Sequence, residues 1–314
     1  MTAKFTTAAI AALLAATALQ PVSAQETTYP VTIQNGPYTF TVEEAPQRVV
    51  GLNAHATENL LALGLGDRMV GSAYNNHPVL DQYMDAFAQI PILAEQNPSL
   101  EVLLAVEPDF TYGRSSAYAE SAVGPVETLQ QYGVNAMVVE GTTLSGATME
   151  NVYNDLRNLG IIFDIQADAE ALIADLQAEI AEVQEIVSQA EEPVDVLVYD
   201  SGTDSLYTAG QALQTHLIEL AGGRNVFADL EGTWASVSWE EAVARNPDVI
   251  VINDYGDTPA EEKRRFLEEN EALASIAAIQ NGHIIVMPLP AAFEGVRNAD
   301  AVRDLAEGFY PELF

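Results

Sequence analysis

The side chains of this chain that could do chemistry are few, and their spacing points to binding rather than bond making. The four histidines, His55, His77, His216 and His283, stand apart, with no His-x-x-His or His-x-x-x-His pair to preform a metal site. There is no cysteine, which removes thiol nucleophiles, Fe–S clusters, Cys-type zinc sites and disulfides. No Gly-x-Ser-x-Gly elbow, phosphate loop or His-Glu-x-x-His motif occurs. The Asp-Ser-Gly within "YDSGTDS" (Tyr199–Ser205) would serve acid–base catalysis only with a second such loop to share a proton, and it occurs once. What remains is a set of aromatic, amide and charged residues at loop ends. In the first half these are Asn53 and His55, then Tyr74 with Asn75, Asn76 and His77, then Tyr112 and Arg114. In the second half they are Tyr199, Asp200 and Asp204, then Trp234, then Phe293, Glu294 and Arg297. Aromatic walls suit a large flat or hydrophobic ligand, and Arg114 or Arg297 could neutralise an anionic chelate. His55 with a tyrosine or aspartate could complete the shell of an incompletely chelated iron. For Arg297 the competing reading is an intramolecular ion pair. His77, which precedes Pro78, reads as turn chemistry, and Arg224 as structural.

The elements that must hold these residues alternate. "YPVTIQNGPYTFTV" turns about Asn35-Gly36, a hairpin signal. "PQRVVGLN" reads as a buried strand. "ATENLLALGLG" reads as a short helix with Thr57 near its cap and Gly64 and Gly66 at its end. "DRMVGSAY", "PDFTYG" and the strand of "TLQQYGVNAMVV" follow, a βαβ alternation that implies a parallel sheet covered by helices. From Met149 to about Ala190 the pattern is helical, with a turn near Gly160 to Ala167. Leu172, Leu176, Ile180, Val183 and Val187 form its apolar stripe. Strand–helix alternation then resumes and ends in a helix within "NADAVRDLAEGFYPELF". In such open α/β sheets ligands gather at the carboxyl ends of strands, where the loop residues above lie.

Two echoes link the halves. "PSLEVLLAVEPDF" and "VSWEEAVARNPDVI" share Ser-x-Glu-x-x-x-Ala-x-x-Pro-Asp, which sets Ser99, Glu101, Pro108 and Asp109 against Ser238, Glu240, Pro247 and Asp248. More weakly, Thr57 to Val70 matches Thr215 to Phe227, with Gly64 opposite Gly222. Internal duplication is the economical explanation.

Composition narrows the class. "MTAK", the apolar "AAIAALLAATAL" and the small-residue "VSA" read as a cleavable secretory signal over 1–24, so the expected compartment is a periplasm; no lipoprotein cysteine is present. The chain carries 46 acidic against 12 basic residues, a formal charge of −34. Nucleic acid is a poor partner for such a surface, which reads instead as solubility in a saline habitat. The expected divisions are the signal at 1–24, a hairpin at 25–46, an α/β lobe at 47–148, a connecting helical segment at 149–190 and a second lobe at 191–314.

The runs "RVVGLNAHATENLLALGLGDRMVGSAY", "PSLEVLLAVEPDFTYG", "AGGRNVF" and "SWEEAVARNPDVIVI", in that order, resemble the substrate-binding proteins of iron–siderophore, haem and cobalamin ABC importers. The similarity runs from about Pro46 to the C-terminus. It implies an α/β fold of two Rossmann-like lobes joined by one long rigid helix, with the ligand cleft between them. His55, Tyr74, Arg114 and Trp234 fall where relatives place ligand contacts. In the family one glutamate on each lobe docks onto arginines of the permease, and these fall at Glu101 and Glu240; two similar lobes suit a two-fold partner. The competing reading is a plain helix start, with the serine as cap and the acid complementing the dipole. The ligand-binding set expected is Asn53, His55, Tyr74, Arg114, Tyr199, Asp204, Trp234, Phe293 and Arg297. The function expected is a non-catalytic, monomeric periplasmic receptor without intrinsic cofactor, which captures a ferric chelate (siderophore) or corrinoid-like molecule and delivers it to an ABC permease dimer in the inner membrane. A cobalamin, haem or other cofactor receptor of the same fold is the alternative, followed by a direct metal-ion binder or a non-transport sensor. No arginine cluster suited to a triscatecholate is visible, which favours a neutral or weakly charged chelate, a corrinoid or another cofactor-like ligand, without deciding among them.

Overall fold

Unbroken apolar runs such as Val49–Leu52 and Val249–Asp254 bury nearly every residue, as strands of a parallel sheet covered on both faces do. The structure, a computed structural model, describes residues 26–256 and 258–314, so the signal-peptide expectation for 1–24 lies outside the described residues. The hairpin β1 (Val31–Asn35) and β2 (Tyr38–Val42) turns at Asn35-Gly36. Asn35 ties it to the first sheet, donating to Val138 O at 2.8 Å and accepting from Val138 N at 2.7 Å.

The first sheet is built from β3 (Val49–Leu52), α1 (Ala54–Ala62), β4 (Met69–Ala73), α2 (Met84–Phe87), β5 (Ile92–Ala94), α3 (Leu100–Leu104), β6 (Phe110–Gly113), α4 (Val126–Gln131) and β7 (Asn135–Val138). Its strands are all parallel, in the order β5-β4-β3-β6-β7. Next come α5 (Met149–Phe163) and the 22-residue α6 (Gln166–Val187), separated by a left-handed Asp164. At 1.5 Å per residue α6 spans about 33 Å and carries the chain to the second sheet. Its buried stripe is Ala169, Ile173, Leu176, Ile180 and Val183; the expected Leu172 and Val187 lie half-buried at its margins.

The second half runs β8 (Val194–Tyr199), β9 (Leu206–Ala209), α7 (Leu213–Leu220), β10 (Gly223–Asn225), β11 (Trp234–Val237), α8 (Trp239–Arg245), β12 (Val249–Asp254), α9 (Ala260–Glu269), α10 (Ala277–Gln280), β13 (Ile284–Pro288), α11 (Leu289–Ala292) and α12 (Asn298–Phe309). A parallel sheet has the order β10-β8-β12-β13, and β9 and β11 form a separate antiparallel pair. The fold is thus two α/β lobes joined through α6.

The echoes occupy equivalent places. β6 pairs with β3, and β12 pairs with β8. Ser99 and Ser238 cap α3 and α8 by accepting from Val102 N and Glu241 N. Asp109 accepts from Gln47 N and Arg48 N at 2.8 and 2.9 Å, and Asp248 accepts from Asp195 N at 3.2 Å, so each aspartate pins the start of the neighbouring strand. Gly64 and Gly222, at φ +70 and +85, close α1 and α7 with the left-handed turn that glycine adopts without steric cost. Thr57 is not a cap. α1 begins earlier, after Asn53, and Thr57 is buried against Ser72 with their hydroxyls 2.8 Å apart.

A buried ion pair joins the lobes beside the cleft. Arg297 donates to both carboxylate oxygens of Glu58, at 2.6 and 2.5 Å, and to Pro78 O at 2.7 Å; the side chains are 12% and 1% exposed. Leu80 N satisfies the carboxylate further at 2.9 Å. Arg297→Ala strands Glu58 in the interior, so urea denaturation should show a loss of about 3–5 kcal/mol. A Glu58→Leu/Arg297→Met pair should recover most of it, and near-wild-type stability of Arg297→Ala would show the pair to be dispensable.

Candidate functional site

In each sheet the strand order reverses beside its first strand, and the reversal opens a crevice at the carboxyl ends. In the first lobe the crevice lies between β3 and β6, whose next residues are Asn53 and Arg114. In the second it lies between β8 and β12, whose next residues are Asp200 and Tyr255. Both crevices open into one cleft of about 260 Å³, lined by Asn53, His55, Tyr74, Asn76, Arg114 and Ser116 from the first half and by Asp200, Tyr207, Trp234, Tyr255, Pro290 and Phe293 from the second.

The first-lobe wall is set by strained backbone. Asn53 has φ 108 and Tyr74 φ 54, both rare for residues with side chains and commonest at sites where geometry is over-determined. Asn53 is held by its own N–H on Ala73 O at 3.0 Å, while its side chain accepts from Arg114 N at 3.0 Å. It therefore builds the cleft rather than reaching far into it. Arg114 lies with its guanidinium carbon 3.6 Å from the centroid of Phe293, a cation–π contact across the lobes. His55 meets the same ring at 5.6 Å, and its buried Nε2 has no hydrogen-bond partner among the described residues.

The second-lobe wall rests on a polar lattice. Lys263, 2% exposed, donates to Asp200 O and Asn253 O, both at 2.6 Å, and its ammonium stands 4.6 Å from the Tyr255 ring centroid. Asn253 donates to Asp200 at 3.2 Å and exchanges bonds with Gln214, and the Tyr255 hydroxyl donates to Asp200. Trp234 stacks on Tyr207 at 5.9 Å and 23°, a diagonal pair across β9 and β11. His77, from the opposite lobe, donates to Asp254 O at 2.6 Å.

The floor is a seam between lobes. Asn59 on α1 accepts from Val296 N at 3.0 Å and donates to Glu294 O at 3.3 Å. Burial raises the Glu294 carboxyl above its ordinary range, with Arg114 pulling the other way, and burial lowers the Arg114 guanidinium. Beneath, the Tyr112 hydroxyl donates to Asp155 at 3.0 Å, and burial drives both groups up.

Six of the expected ligand residues converge: Asn53, His55, Tyr74, Arg114, Trp234 and Phe293. Three do not. Tyr199 is 1% exposed and packs on Trp239 and Phe266, because the last residue of β8 turns its ring toward the helices. Asp204 is exposed in the loop between β8 and β9, away from the lining. Arg297 is consumed by Glu58, which makes it a partner in an intramolecular ion pair. Tyr207 and Tyr255 line the cleft in addition to the expected set; Tyr255 follows "VIVIND", where the switch-point position was a usable signal. Among the described residues no group of three or more His, Asp or Glu converges to hold a metal.

Comparisons agree with this architecture. The family described as periplasmic binding protein matches residues 49–291. An uncharacterized ABC transporter substrate-binding lipoprotein of Bacillus subtilis, YvrC, is 25% identical over 273 residues, covering 86% of this chain and 82% of its own. A vitamin B12-binding protein of Pectobacterium carotovorum is 28% identical over 215 residues, covering 68% and 73%. A periplasmic binding protein from Veillonella parvula superposes with a TM-score of 0.83 at 31% identity, covering 87% of this chain and 94% of that one.

Burial, and then the Arg114 charge, hold His55 well below the ordinary 6.5. The folded state keeps it neutral while the unfolded chain protonates it, so stability present above about pH 6.5 is lost as pH falls, by up to about 1.4 kcal/mol per unit. His55→Phe should remove that component, narrowing the drop in urea stability between about pH 7 and about pH 5. Parallel wild-type and variant curves would refute it.

Proposed function

This chain belongs to the periplasmic binding protein family, and we propose that its cleft captures a bulky metal chelate, neutral or weakly anionic, of the ferric-siderophore class. It is a substrate-binding protein of an ABC importer, not an enzyme. The observation that carries the ligand class is the lining. Tyr74, Tyr207, Trp234, Tyr255 and Phe293 surround a single cation, Arg114, which Glu294 partly offsets. Aromatic faces grip large planar or apolar surfaces, and one arginine recognises one anionic or carbonyl-rich group. A corrinoid is the second reading, favoured by the relatives named for vitamin B12.

The protein acts as a monomer in the periplasm after removal of residues 1–24, with 47–148 and 191–314 as the lobes and 149–190 as the connector. Among the described residues no helix is long and apolar enough to cross a membrane. Delivery uses Glu101 and Glu240. Both are exposed, whereas the other polar members of each repeated motif serve the fold, the serine as a cap and the aspartate as the pin of a strand. The adjacent Glu241 pairs with Arg245 at 2.7 Å, whereas Glu240 makes no ion pair among the described residues.

A thermal-shift screen over ferric hydroxamates, haem and cobalamins, followed by fluorescence titration, tests the ligand class. Trp234 is half-buried at the cleft and Trp239 buried in the core, so quenching reports on the former. Trp234→Ala should weaken binding by about tenfold; unchanged affinity would move the site elsewhere. Glu101→Ala with Glu240→Ala should leave affinity intact and abolish uptake by cells, and normal uptake would remove both from the docking role.

A further inference from the structure

The cleft is not the largest concavity. Beside it runs a groove of about 570 Å³, walled by Val79, Met84, Phe87, Ala88, Ile92 and Ala94, with Asn75, Asn76, His77 and Glu95 at its rim. Met84 and Ile92 are each 53% exposed. Glu95 is the only charged side chain in the lining, although the chain as a whole carries a formal charge of −34. An apolar group laid along such a lining leaves water at no cost in unpaired polar groups.

Three features say what the occupant is. Asn76 lines both groove and cleft, so residues 74–79 form one wall, with Tyr74 facing the cleft and Val79 the groove. That wall is fixed rather than adaptable. Arg297 holds Pro78 O, Glu58 holds Leu80 N, and His77 holds Asp254 O across the lobes. The occupant must also be apolar and without charge. A second copy of this chain fits poorly: β5 offers three residues of edge, and two bodies of such negative charge repel.

We propose that this groove is a second ligand subsite, which takes an alkyl or acyl tail carried by the chelate seated in the cleft. The ligand is then amphiphilic, its polar metal-binding head among the aromatic residues and its tail along β5. The inference rests on the cleft being the ligand site. Each methylene transferred from water into the groove should raise affinity by about fourfold, so a medium-length tail dominates selectivity among chelates with one head.

The experiment uses calorimetry with a ferric linear trihydroxamate and its decanoyl derivative, below the concentration at which the latter forms micelles. The tailed chelate should bind more than tenfold tighter. Met84→Asp with Ile92→Asp should cancel that gain and leave the tail-less chelate unaffected; both positions are exposed enough that the thermal midpoint should hardly move. Equal affinities for the two chelates, with the tail-less one bound normally, would overturn the subsite and leave the cleft standing. Failure of both chelates to bind would overturn the cleft reading for this head group, and the subsite with it. A self-associating wild-type protein that the double variant renders monomeric would give the groove to a second copy and also overturn the proposal.

Discussion

The seam between α1 and residues 293–298 is the constraint on which the rest of the molecule depends. Glu58 is buried there, accepting from Arg297 at both oxygens and from Leu80 N, and the adjacent Asn59 closes the same seam through Val296 and Glu294. Removing either partner would leave the other charge uncompensated in a largely water-free seam, a cost of several kcal/mol, so the two halves are matched to each other at this point. α6 imposes a second restraint, because a packed helix of six turns bends little. Across the cleft mouth His77 donates to Asp254 O, and the two halves meet again where Gly146 N donates to Gln211 O at 2.7 Å. A receptor built this way loses little binding energy to closure, and the surface acids of its two halves are carried on one restrained frame.

That frame bears on the duplicated motif. Serine, proline and aspartate recur because the same construction recurs: a capped helix, a turn, and a carboxylate that fastens the next strand to its neighbour. Backbone geometry follows suit, with Glu107 and Asn246 both at φ 46 at the ends of α3 and α8. These roles need no glutamate at the second helical position. Glu101 does accept from Ser99 at 3.2 Å, a contact local enough that many residues could stand there. A glutamate present twice at positions the fold does not require is the observation on which the proposed docking role rests.

The sequence carried the architecture well and the facing of side chains poorly. Parallel strands, the break before α6 and the terminal helix follow from periodicity and glycine placement, which are local. Which side of a strand end faces the cleft is not local. Tyr199 and Asp200 are adjacent, and the alternation of the strand sends one into the core and the other to the wall. Arg297 and Glu58 are 239 residues apart, so their pairing could be named as a class of event but not located. The β9–β11 pair is not legible because four residues are too few to show a period: β9 buries all but Tyr207, while β11 leaves its residues half-buried or exposed, so neither reads as a half-covered strand.

Charge decides what the cleft can hold. Arg114 brings one positive charge into an aromatic enclosure, and beside it lies Glu294, 6% exposed, whose carboxyl burial pushes toward the neutral form while the guanidinium draws it back. With the acid ionised the pair is nearly neutral; with it protonated the cleft gains one full cation. In neither state can it compensate a trianion, since each unpaired charge removed from water costs several kcal/mol. On the opposite wall Asp200 lies against the buried Lys263 ammonium, so that wall adds no net charge to the cleft. A neutral hydroxamate-type chelate, or a corrinoid whose periphery is amide, meets no such penalty. The ring faces that line the walls reward area rather than charge, so for the proposed chelate shape and apolar contact are the terms that discriminate.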